Sequence, residues 1–436
     1  MTPLLFIGES VGLKNLSMTK FNNYKKAVEF LNSLINLPIK NFMLKTGDRQ
    51  IFVERLTWFL RELKNPEKGF KYIHITGTAG KGSTVNYLHQ ILTKAGKKVG
   101  SYYSPYPTTA IENIKVGNLY ISPADFAKLA DKLKPIITKA ILSSPYGAPS
   151  YFEIFLSLAF LYFKQEKCEY VILETGLGGT HDATCVIKNP IIAAITCVDY
   201  DHQDLLGKTL TKIATDKSGI IKKGCKFFTT EKRSHILKIF QDKCLKLKVP
   251  FHQIKASAES PNLTLVKAIA QELKIPEKIV NKTKFQNLPC RFEIMQKKPL
   301  VILDGSHNPA KIKFLSQNLK NLKNGRINAI IGMAENKDLA GSLKAILPQL
   351  SQLILTRFDN SFRKSADLKK LRNLSLNIKP DLNIKVFLDP WEALDYGLKI
   401  THPQDTLLIA GSFYLAGRLR TRWITEETIL KKRRSF

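Results

Sequence analysis

Residues 77–84, which read Gly-Thr-Ala-Gly-Lys-Gly-Ser-Thr, decide how this chain is interpreted. An apolar run with strand character, residues 72–76, leads into them, and a stretch with helical apolar spacing, residues 85–92, follows. Glycines let the backbone curl so that successive N–H groups point inward, and the start of a helix adds positive partial charge. We therefore predict a phosphate-binding loop formed by Gly77, Thr78, Gly80, Lys81, Gly82, Ser83 and Thr84, in which Lys81 adds a full positive charge.

The loop is a variant of the common phosphate-binding pattern. That pattern has a glycine five residues before the Gly-Lys pair and Ser or Thr directly after the lysine, whereas Ile75 and Gly82 occupy these positions here. The alternative is a glycine-rich turn with a chance lysine, and the flanking strand and helix argue against it. We expect the loop to bind ATP together with Mg²⁺.

The composition is that of an ordinary globular protein. The chain has 436 residues, of which 44% are hydrophobic and 24% charged, so two or three domains are expected. The apolar start, residues 4–7, is too short for a secretory signal, and the most apolar stretch, residues 154–163, is far below the ~20 residues that span a bilayer. We expect a cytoplasmic enzyme with no membrane segment.

Cysteine spacing and the distribution of charge argue against two other classes of protein. The six cysteines form no CxxC pair, so we expect them to be reduced and mostly buried rather than disulfide-bonded or zinc-binding. The net charge of +32 is compatible with a nucleic-acid binder, but the lysines are spread along the chain, and only residues 431–434 form a dense basic run. We expect a lysine-rich composition with anionic ligands, and no nucleic-acid partner.

Two series of short apolar runs alternate with amphipathic stretches, which favours βα units around parallel sheets. We predict an α/β protein with an N-terminal P-loop-containing parallel-sheet ATPase domain, residues 1–287, and a smaller C-terminal Rossmann-like domain, residues 288–436. Between the two series, residues 250–290 are expected to be irregular. The candidate strands are 72–76, 99–103, 170–174, 191–198 and 226–230, and then 300–304, 327–332, 353–356, 384–388 and 406–410.

The loop and further motifs, in order along the whole chain, resemble the Mur ligase superfamily, specifically its folylpolyglutamate synthase/dihydrofolate synthase branch. The loop is similar to the GTxGKG[ST] sequence of that branch, and one such motif alone would say little. The other similar segments are Ser104-Pro105, 112–114, 121–122, Phe152-Glu153, 174–179, 182–184, Asp201-His202, 206–209, 216–220, 291–293, 304–309, Lys337-Asp338 and 411–417.

The resemblance implies two Mg²⁺ sites. Ser104 and Glu174 would hold one Mg²⁺ near the γ-phosphate, and Glu174 follows a predicted parallel strand, where open α/β sheets place ligands. His202 would bind a second Mg²⁺; the alternative is an ordinary buried histidine. Lys217 matches a lysine that CO₂ carbamylates in the family, which turns a cation into an anion able to face Mg²⁺; the alternative is a lysine that pairs with a phosphate. Lys81, Lys217 and His202 are the implied catalytic residues.

The second domain is expected to complete the nucleotide site. The resemblance implies that Arg291 reaches the triphosphate and that Asp304 and His307 contact the nucleotide, while Asp182 and Ser412 bind substrate. For Asp304, the alternative is a carboxylate that caps the helix before Pro309.

The activity implied by the resemblance is that of an ATP-dependent amide ligase. It would join L-glutamate to a folate-type carboxylate, dihydropteroate or tetrahydrofolate or both, through an acyl phosphate, and we expect a monomer. Two alternatives stay open: a Mur-like ligase for another carboxylate acceptor, and a non-catalytic nucleotide-binding protein with a basic surface for polyanions. Departures from the family pattern at Ala79, Tyr106, Thr180 and His181 leave the acceptor undecided.

Overall fold

Two α/β units, each built on a mainly parallel sheet, follow one another along the chain. The computed structural model describes residues 21–36, 49–256, 260–322, 325–359 and 363–435. The apolar start at residues 4–7 lies outside these ranges. The predicted α/β class with two parallel-dominated sheets is confirmed.

The first sheet has eight strands in the order β4-β3-β2-β5-β1-β6-β7-β8. Its central strands β1 and β5 are buried almost throughout, as expected for parallel strands with neighbours on both sides. The strands are β1 (Lys71–Thr76), β2 (Val99–Tyr102), β3 (Ile114–Val116), β4 (Leu119–Tyr120), β5 (Tyr170–Glu174), β6 (Pro190–Ile195), β7 (Lys226–Thr229) and β8 (Phe251–Gln253). Strands β3 and β4 are antiparallel, and sequence patterns did not predict them.

Helices cover both faces of this sheet. The most apolar stretch of the sequence, residues 154–163, lies in α5, which buries all but its ends. The helices are α1 (Asn22–Ser33), α2 (Ile51–Glu62), α3 (Lys81–Lys94), α4 (Pro123–Ser143), α5 (Tyr151–Gln165), α6 (Gln203–Leu206), α7 (Leu210–Lys217), α8 (Ser234–Leu247), α9 (Pro261–Glu272) and α10 (Glu277–Asn281).

The expectation of an irregular segment at 250–290 is wrong. Strand β8 and helices α9 and α10 lie within it. Pro261 occupies the first turn of α9, where proline is tolerated, and Leu265, Val266 and Ile269 give that helix a buried face. Helix α9 packs against α3, which starts from the phosphate loop.

The second sheet has six strands in the order β13-β12-β11-β14-β10-β9, and all pairs are parallel except β9 with β10. Its strands are β9 (Glu293–Lys297), β10 (Leu300–Leu303), β11 (Ile327–Ile331), β12 (Gln352–Leu355), β13 (Asn383–Val386) and β14 (Thr406–Ala410). Its helices are α11 (Pro309–Lys320), α12 (Leu339–Ile346), α13 (Leu368–Ile378), α14 (Pro390–Ile400), α15 (Phe413–Arg420) and α16 (Glu426–Lys432).

The end of the chain returns to the first unit. Ile429 and Leu430 of α16 join the hydrophobic core that contains α4 and α5. Beyond the helix, Arg433 exchanges two hydrogen bonds with Tyr120 of β4: Tyr120 N donates to Arg433 O at 3.0 Å, and Arg433 Nε donates to Tyr120 O at 2.7 Å. Part of the basic run 431–434 therefore has a structural role.

A fully buried arginine ties the returning tail to both units. Arg420 at the end of α15 donates to both carboxylate oxygens of Glu293, each at 2.9 Å, and to Ser435 O at 2.7 Å. Its Nη1 also lies 3.8 Å from Glu112 Oε1 in the first unit. Burial raises the pKa of Glu112, and the charge of Arg420 opposes that rise.

Two expectations from composition can be compared with the structure. The six cysteines are free thiols, and all except Cys197 are buried. Within the described ranges, no helix is both long enough and apolar enough to cross a membrane.

Candidate active site between the two units

The phosphate loop lies at the carboxyl end of β1, in the centre of the first sheet. Gly80, with φ of 82°, precedes α3, and a Cβ on it would lie 2.3 Å from Asn262 Oδ1. A Cβ on Gly77 would lie 1.9 Å from Thr196 Oγ1, so neither position has room for a side chain. Lys81 Nζ donates to Gly77 O at 3.0 Å, which curls the lysine back over the loop.

The register of the sheet brings a carboxylate beside this loop. Strand β1 pairs in parallel with β5, and Ile75 is opposite Glu174. Both strands therefore end at the same edge, and Glu174 Oε1 lies 3.9 Å from Lys81 Nζ. A Cβ on Gly82 would lie 3.2 Å from Glu174 Oε2, so glycine at this position leaves space for the carboxylate.

A cleft of about 200 Å³ lies between the two units at these strand ends. It brings together ten of the predicted site residues: Gly77, Thr78, Lys81, Ser104, Glu174, His202, Lys217, Arg291, His307 and Ser412. Further lining residues that sequence analysis gave no site role are Asp201, Lys311, Lys337, Arg363, Phe413 and Tyr414.

Four predicted residues of the phosphate loop do not line the cleft. Thr84 is buried and donates its hydroxyl to Gly80 O at 2.9 Å, which secures the first turn of α3. The others are Gly80, Gly82 and Ser83. Their contact with a nucleotide stays a prediction.

Two predicted carboxylates are also outside the cleft lining. Asp182 accepts hydrogen bonds from the backbone N–H groups of Leu177, at 2.7 Å, and Thr184, at 3.0 Å. Asp304 accepts from Phe292 N and Ser306 N, both at 2.8 Å, and so shapes the turn after β10. The cap of α11 is instead Asn308, so the capping alternative for Asp304 is wrong. Binding of substrate or nucleotide by these two carboxylates stays a prediction.

Glu174 presents a buried carboxylate to the cleft. Burial raises its pKa, and the positive charges of Lys81, Arg291 and Lys311 oppose that rise. Its carboxylate receives no hydrogen bond from the described residues, so its oxygens are available to a cation. Ser104, at the start of the loop after β2, lines the same cleft.

His202 has a backbone conformation that is uncommon for residues other than glycine. Its φ is 49°, in the left-handed region, and it directly precedes α6. Asp201 Oδ1 accepts from His202 N at 3.1 Å and lies 3.8 Å from its Nε2. Burial lowers the pKa of His202 to about 4 despite Asp201, which leaves a neutral imidazole able to act as a ligand at neutral pH.

Lys217 ends α7 and is only 4% exposed. Within the described part of the chain, its ammonium has no hydrogen-bond partner. Burial, assisted by the positive charge of Lys81, lowers the pKa of Lys217 to about 8. A larger fraction of the amine is therefore neutral near pH 7 than for an exposed lysine, and the neutral amine is the form that reacts with CO₂.

On the opposite wall, the second unit presents cations. The Arg291 guanidinium lies 4.7 Å from the centre of the Phe413 ring, which holds it at the junction of the units. His307 Nδ1 donates to Gly305 O at 2.8 Å, so its Nε2 is free to accept from Lys311 Nζ at 3.2 Å. Burial lowers the pKa of Lys311 to about 7.

The residues that sequence analysis missed make the cleft strongly cationic. Lys311 follows His307 by four residues, but His307 precedes α11, so helical spacing does not pair them, and nothing near Arg363 in the sequence indicates a site. Six lysines and arginines line the cleft against two carboxylates, Glu174 and Asp201, an excess of four positive charges with histidines counted as neutral. Such a site suits a triphosphate and further carboxylates.

A metal at this site would need ligands from outside the protein. No three His, Cys, Asp or Glu side chains converge as a metal cluster in the ranges that the structure describes. Mg²⁺ fits this donor set, because it binds through one or two carboxylates and takes its other oxygens from phosphates and water.

The chain matches two Mur ligase family models. The Mur ligase middle domain matches residues 75–296, which is half of the chain, and the Mur ligase glutamate ligase domain matches residues 290–413. These segments contain the phosphate loop and the cationic wall of the second unit, respectively.

Relatives and solved structures are similar over most of their length. The dihydrofolate synthase/folylpolyglutamate synthase of Bacillus subtilis (strain 168) is 29% identical over 415 residues, which covers 84% of this chain and 94% of the relative. The folylpolyglutamate synthase of Lacticaseibacillus casei is 28% identical over 442 residues, covering 91% and 98%. E. coli FolC, solved in complex with DHPP and ADP, superposes with a TM-score of 0.76 at 26% identity and covers 90% of this chain and 96% of its own.

The resemblance predicted from the sequence motifs is thus confirmed by the family models, by relatives of nearly full length and by the fold. The chain belongs to the Mur ligase family, in the branch that contains the folylpolyglutamate and dihydrofolate synthases.

Proposed function

We propose that this chain is an ATP-dependent ligase that joins L-glutamate to a folate-type carboxylate through a carbon–nitrogen bond. The observation that supports this most is the cationic cleft, in which a phosphate loop with Lys81 faces Arg291 and Lys311 across the boundary of the two units. The names of the relatives, dihydrofolate synthase/folylpolyglutamate synthase and folylpolyglutamate synthase, support a folate-type acceptor, and the motif resemblance implies dihydropteroate or tetrahydrofolate.

The proposed chemistry activates a carboxylate, which is a poor electrophile. A carboxylate oxygen of the acceptor attacks the γ-phosphorus of ATP, the bond to ADP breaks, and an acyl phosphate forms. The neutral amine of glutamate then attacks the acyl carbon, and the tetrahedral intermediate expels phosphate to give the amide. No protein nucleophile is needed, so the chain acts by positioning the reactants and neutralising their charge.

The two units have different roles in this proposal. The N–H groups of the phosphate loop and Lys81 hold the triphosphate, and Arg291 neutralises it from the second unit. Two further cations, Lys311 and Lys337, balance the carboxylates that meet in the cleft. Closure of one unit onto the other would exclude water from the acyl phosphate.

The proposal includes two Mg²⁺ sites. Ser104 and Glu174 would hold one ion, and His202 together with a carbamylated Lys217 would hold the other. The free carboxylate of Glu174, the neutral imidazole of His202 and the lowered pKa of Lys217 support these assignments. Bound Mg²⁺ supplies positive charge that polarises the phosphoryl group.

The acceptor is the least constrained part of the proposal. Thr180, one of the departures from the family pattern, donates its hydroxyl to Asp216 O at 2.8 Å, and Tyr106 stacks on Phe155 at 6.4 Å. Both side chains therefore have structural contacts, which is compatible with either folate acceptor. Location in the cytoplasm, a monomeric state and the domain boundary at 287–288 remain predictions from the sequence.

Release of ADP tests the proposal. Purified protein with ATP and Mg²⁺ is assayed with dihydropteroate, tetrahydrofolate and unrelated carboxylates, each with and without L-glutamate. We expect ADP and a product one glutamyl residue heavier, seen by mass spectrometry, only when acceptor and glutamate are both present. Lys81→Ala should abolish turnover, and Lys94→Ala, an exposed lysine on the same helix, should not.

Turnover with a carboxylate other than a folate would favour the Mur-like alternative. ATP binding without turnover for any acceptor would rule out the ligase and leave a nucleotide-binding protein.

A further inference from the structure

Helix α15 of the second unit meets the loop after β2 of the first at a point with no room for a side chain. A Cβ on Gly417, within α15, would lie 2.0 Å from Pro107 O, 2.7 Å from Pro107 C and 3.1 Å from Pro107 Cα. These are backbone atoms, which cannot turn aside as the end of a side chain can. A glycine inside a helix lowers the stability of that helix by about 1 kcal/mol relative to alanine. At this position glycine is nevertheless required, because a larger residue would collide with the backbone of Pro107.

The same helix reaches the cleft at its other end. Phe413 and Tyr414, its first residues, line the cleft, and Phe413 lies beneath the guanidinium of Arg291. The capping Ser412 accepts from Tyr414 N at 3.2 Å. At the far end, Arg420 is held by Glu293. Helix α15 therefore connects the part of the cleft that Phe413 and Tyr414 line to the loop after β2.

The loop is held between the two units. Ser104 and Pro105 line the cleft together with Gly77, Thr78 and Lys81 of the phosphate loop. The Thr108 hydroxyl accepts from Arg420 Nη1 at 3.4 Å, and the Thr109 hydroxyl donates to Glu426 Oε1 of α16 at 2.9 Å. The second unit thus fixes a wall of the cleft that belongs, by sequence, to the first unit.

The phosphate loop is held in place by a different set of contacts. Thr78 N donates to Cys197 O at 2.9 Å, and Thr196 Oγ1 donates to Ala79 O at 2.6 Å, so the end of β6 holds the phosphate loop. Neither contact involves α15 or the loop that contains Ser104. A substitution at Gly417 would therefore displace the loop at residues 104–107 and leave the phosphate loop in place.

We infer that Gly417 is a positioning residue that sets the distance between the loop at residues 104–107 and the phosphate loop, and thereby the position of Ser104 in the cleft. The inference rests on the proposed function for the identity of the acceptor. The contact between Gly417 and Pro107 is independent of the proposed function and can be tested without turnover.

The test compares two substitutions of helical glycines. Gly417→Ala should push the loop away, because the methyl group meets backbone. Gly397→Ala in α14 is the matched control, since its methyl would meet only the Cδ1 atoms of Ile330, Leu407 and Ile354, at 3.0, 3.1 and 3.3 Å. Because a displacement of ~1 Å can cost about 100-fold in rate, we expect Gly417→Ala to lower kcat/KM for the acceptor by about 10- to 100-fold.

The discriminating readout is ATP affinity measured by calorimetry without acceptor and without Mg²⁺, a condition in which Ser104 has no metal to hold. It should stay within about twofold of the wild type in Gly417→Ala, since the phosphate loop has its own anchors. Gly397→Ala should change neither quantity beyond that range. Unchanged acceptor kinetics in Gly417→Ala, or a parallel loss of ATP affinity, would overturn the inference.

Hydrogen exchange of the amides at 104–109 separates this inference from the proposed function. We expect faster exchange in Gly417→Ala and no change in Gly397→Ala, even if no folate acceptor is turned over. Should Gly417→Ala not fold, Pro107→Gly loosens the loop without a clash, and it should give the same acceptor-selective loss. Equal exchange and equal kinetics in the folded variant would contradict the inference.

Discussion

Asp201 Oδ1 in the first unit lies 3.3 Å from Lys337 Nζ in the second, and Asn308 Nδ2 donates to the other carboxylate oxygen at 2.9 Å. One carboxylate thus contacts two elements of the opposite unit, directly beside His202. Burial raises the pKa of Asp201, but His202, Lys337 and Lys311 lower it by more, so the net pKa is below the usual range.

Lys337→Met should weaken the junction of the units. It leaves the Asp201 carboxylate buried without its cation, and we expect a loss of about 1–3 kcal/mol in the free energy of unfolding at pH 7. Asp201 has a lowered pKa when folded, so its contribution is present above its unfolded pKa near ~4 and is lost only below that. The deficit should therefore be constant from about pH 8 to pH 4 in urea titrations. The exposed Lys344→Met on α12 is the control, and a deficit that fades between pH 7 and pH 5 would contradict this account.

Lys311→Met should make the protein more stable at neutral pH. The folded-state pKa of Lys311 is about 7, against ~10.4 when unfolded, so the cost of burying its charge is fully present below pH 7 and disappears as the pH approaches 10. We expect a gain of about 1–2 kcal/mol at pH 6.5 that shrinks by pH 9.5. Lys313→Met, on an exposed position of the same helix, should show no such trend. A variant less stable than wild type at pH 6.5 would argue against a buried charge.

Lys217→Ala should lower turnover by about 100-fold or more, with partial rescue by small carboxylates, if the lysine works as a carbamate. A readout apart from activity is the carbamate carbon signal in NMR of wild-type protein equilibrated with ¹³C-labelled CO₂. The signal should be absent in the variant. Lys212→Ala, an exposed lysine of α7, serves as the control. Activity lost without a carbamate signal would favour the alternative in which Lys217 pairs with a phosphate.

Arg420→Met should destabilise the protein strongly, because it leaves Glu293 and Glu112 buried without their cation. Removing one partner of a buried ion pair costs about 3–5 kcal/mol, which urea unfolding would measure. Arg422→Met, two residues further and exposed, should stay within about 0.5 kcal/mol of wild type. Similar stabilities for the two variants would mean that the tail does not depend on Arg420.

The sequence predicted the centre of each sheet better than its edges. Strand β5 at 170–174 was predicted with its observed bounds, because a strand buried on both faces is apolar throughout. Strands β3 and β4 are three and two residues long around a turn at Gly117, too short for a periodic pattern. Sequence patterns do not predict helix α9, because a proline is as typical of irregular chain as of the first turn of a helix, where Pro261 lies.

The site was predicted where its chemistry follows from local motifs. Residues at the ends of β1 and β5 meet because neighbouring parallel strands end at one edge, which the sequence pattern indicates. Lys311 and Arg363 come to the cleft only through the packing of the second unit, and no local spacing shows that. Conversely, Asp182 and Asp304 belong to recognisable motifs, yet their oxygens hold backbone turns in place.

The return of the chain end to β4 restricts how the cleft can open. The second unit is joined to the first both at the crossing before β9 and through α16 and Arg433. A body attached at one point can tilt in any direction, whereas a body attached at two rotates mainly about the line that joins them. Ligands would then enter and leave as the second unit rotates about the line through the two attachments. The tail, which provides the second attachment, therefore helps to define the axis of that rotation.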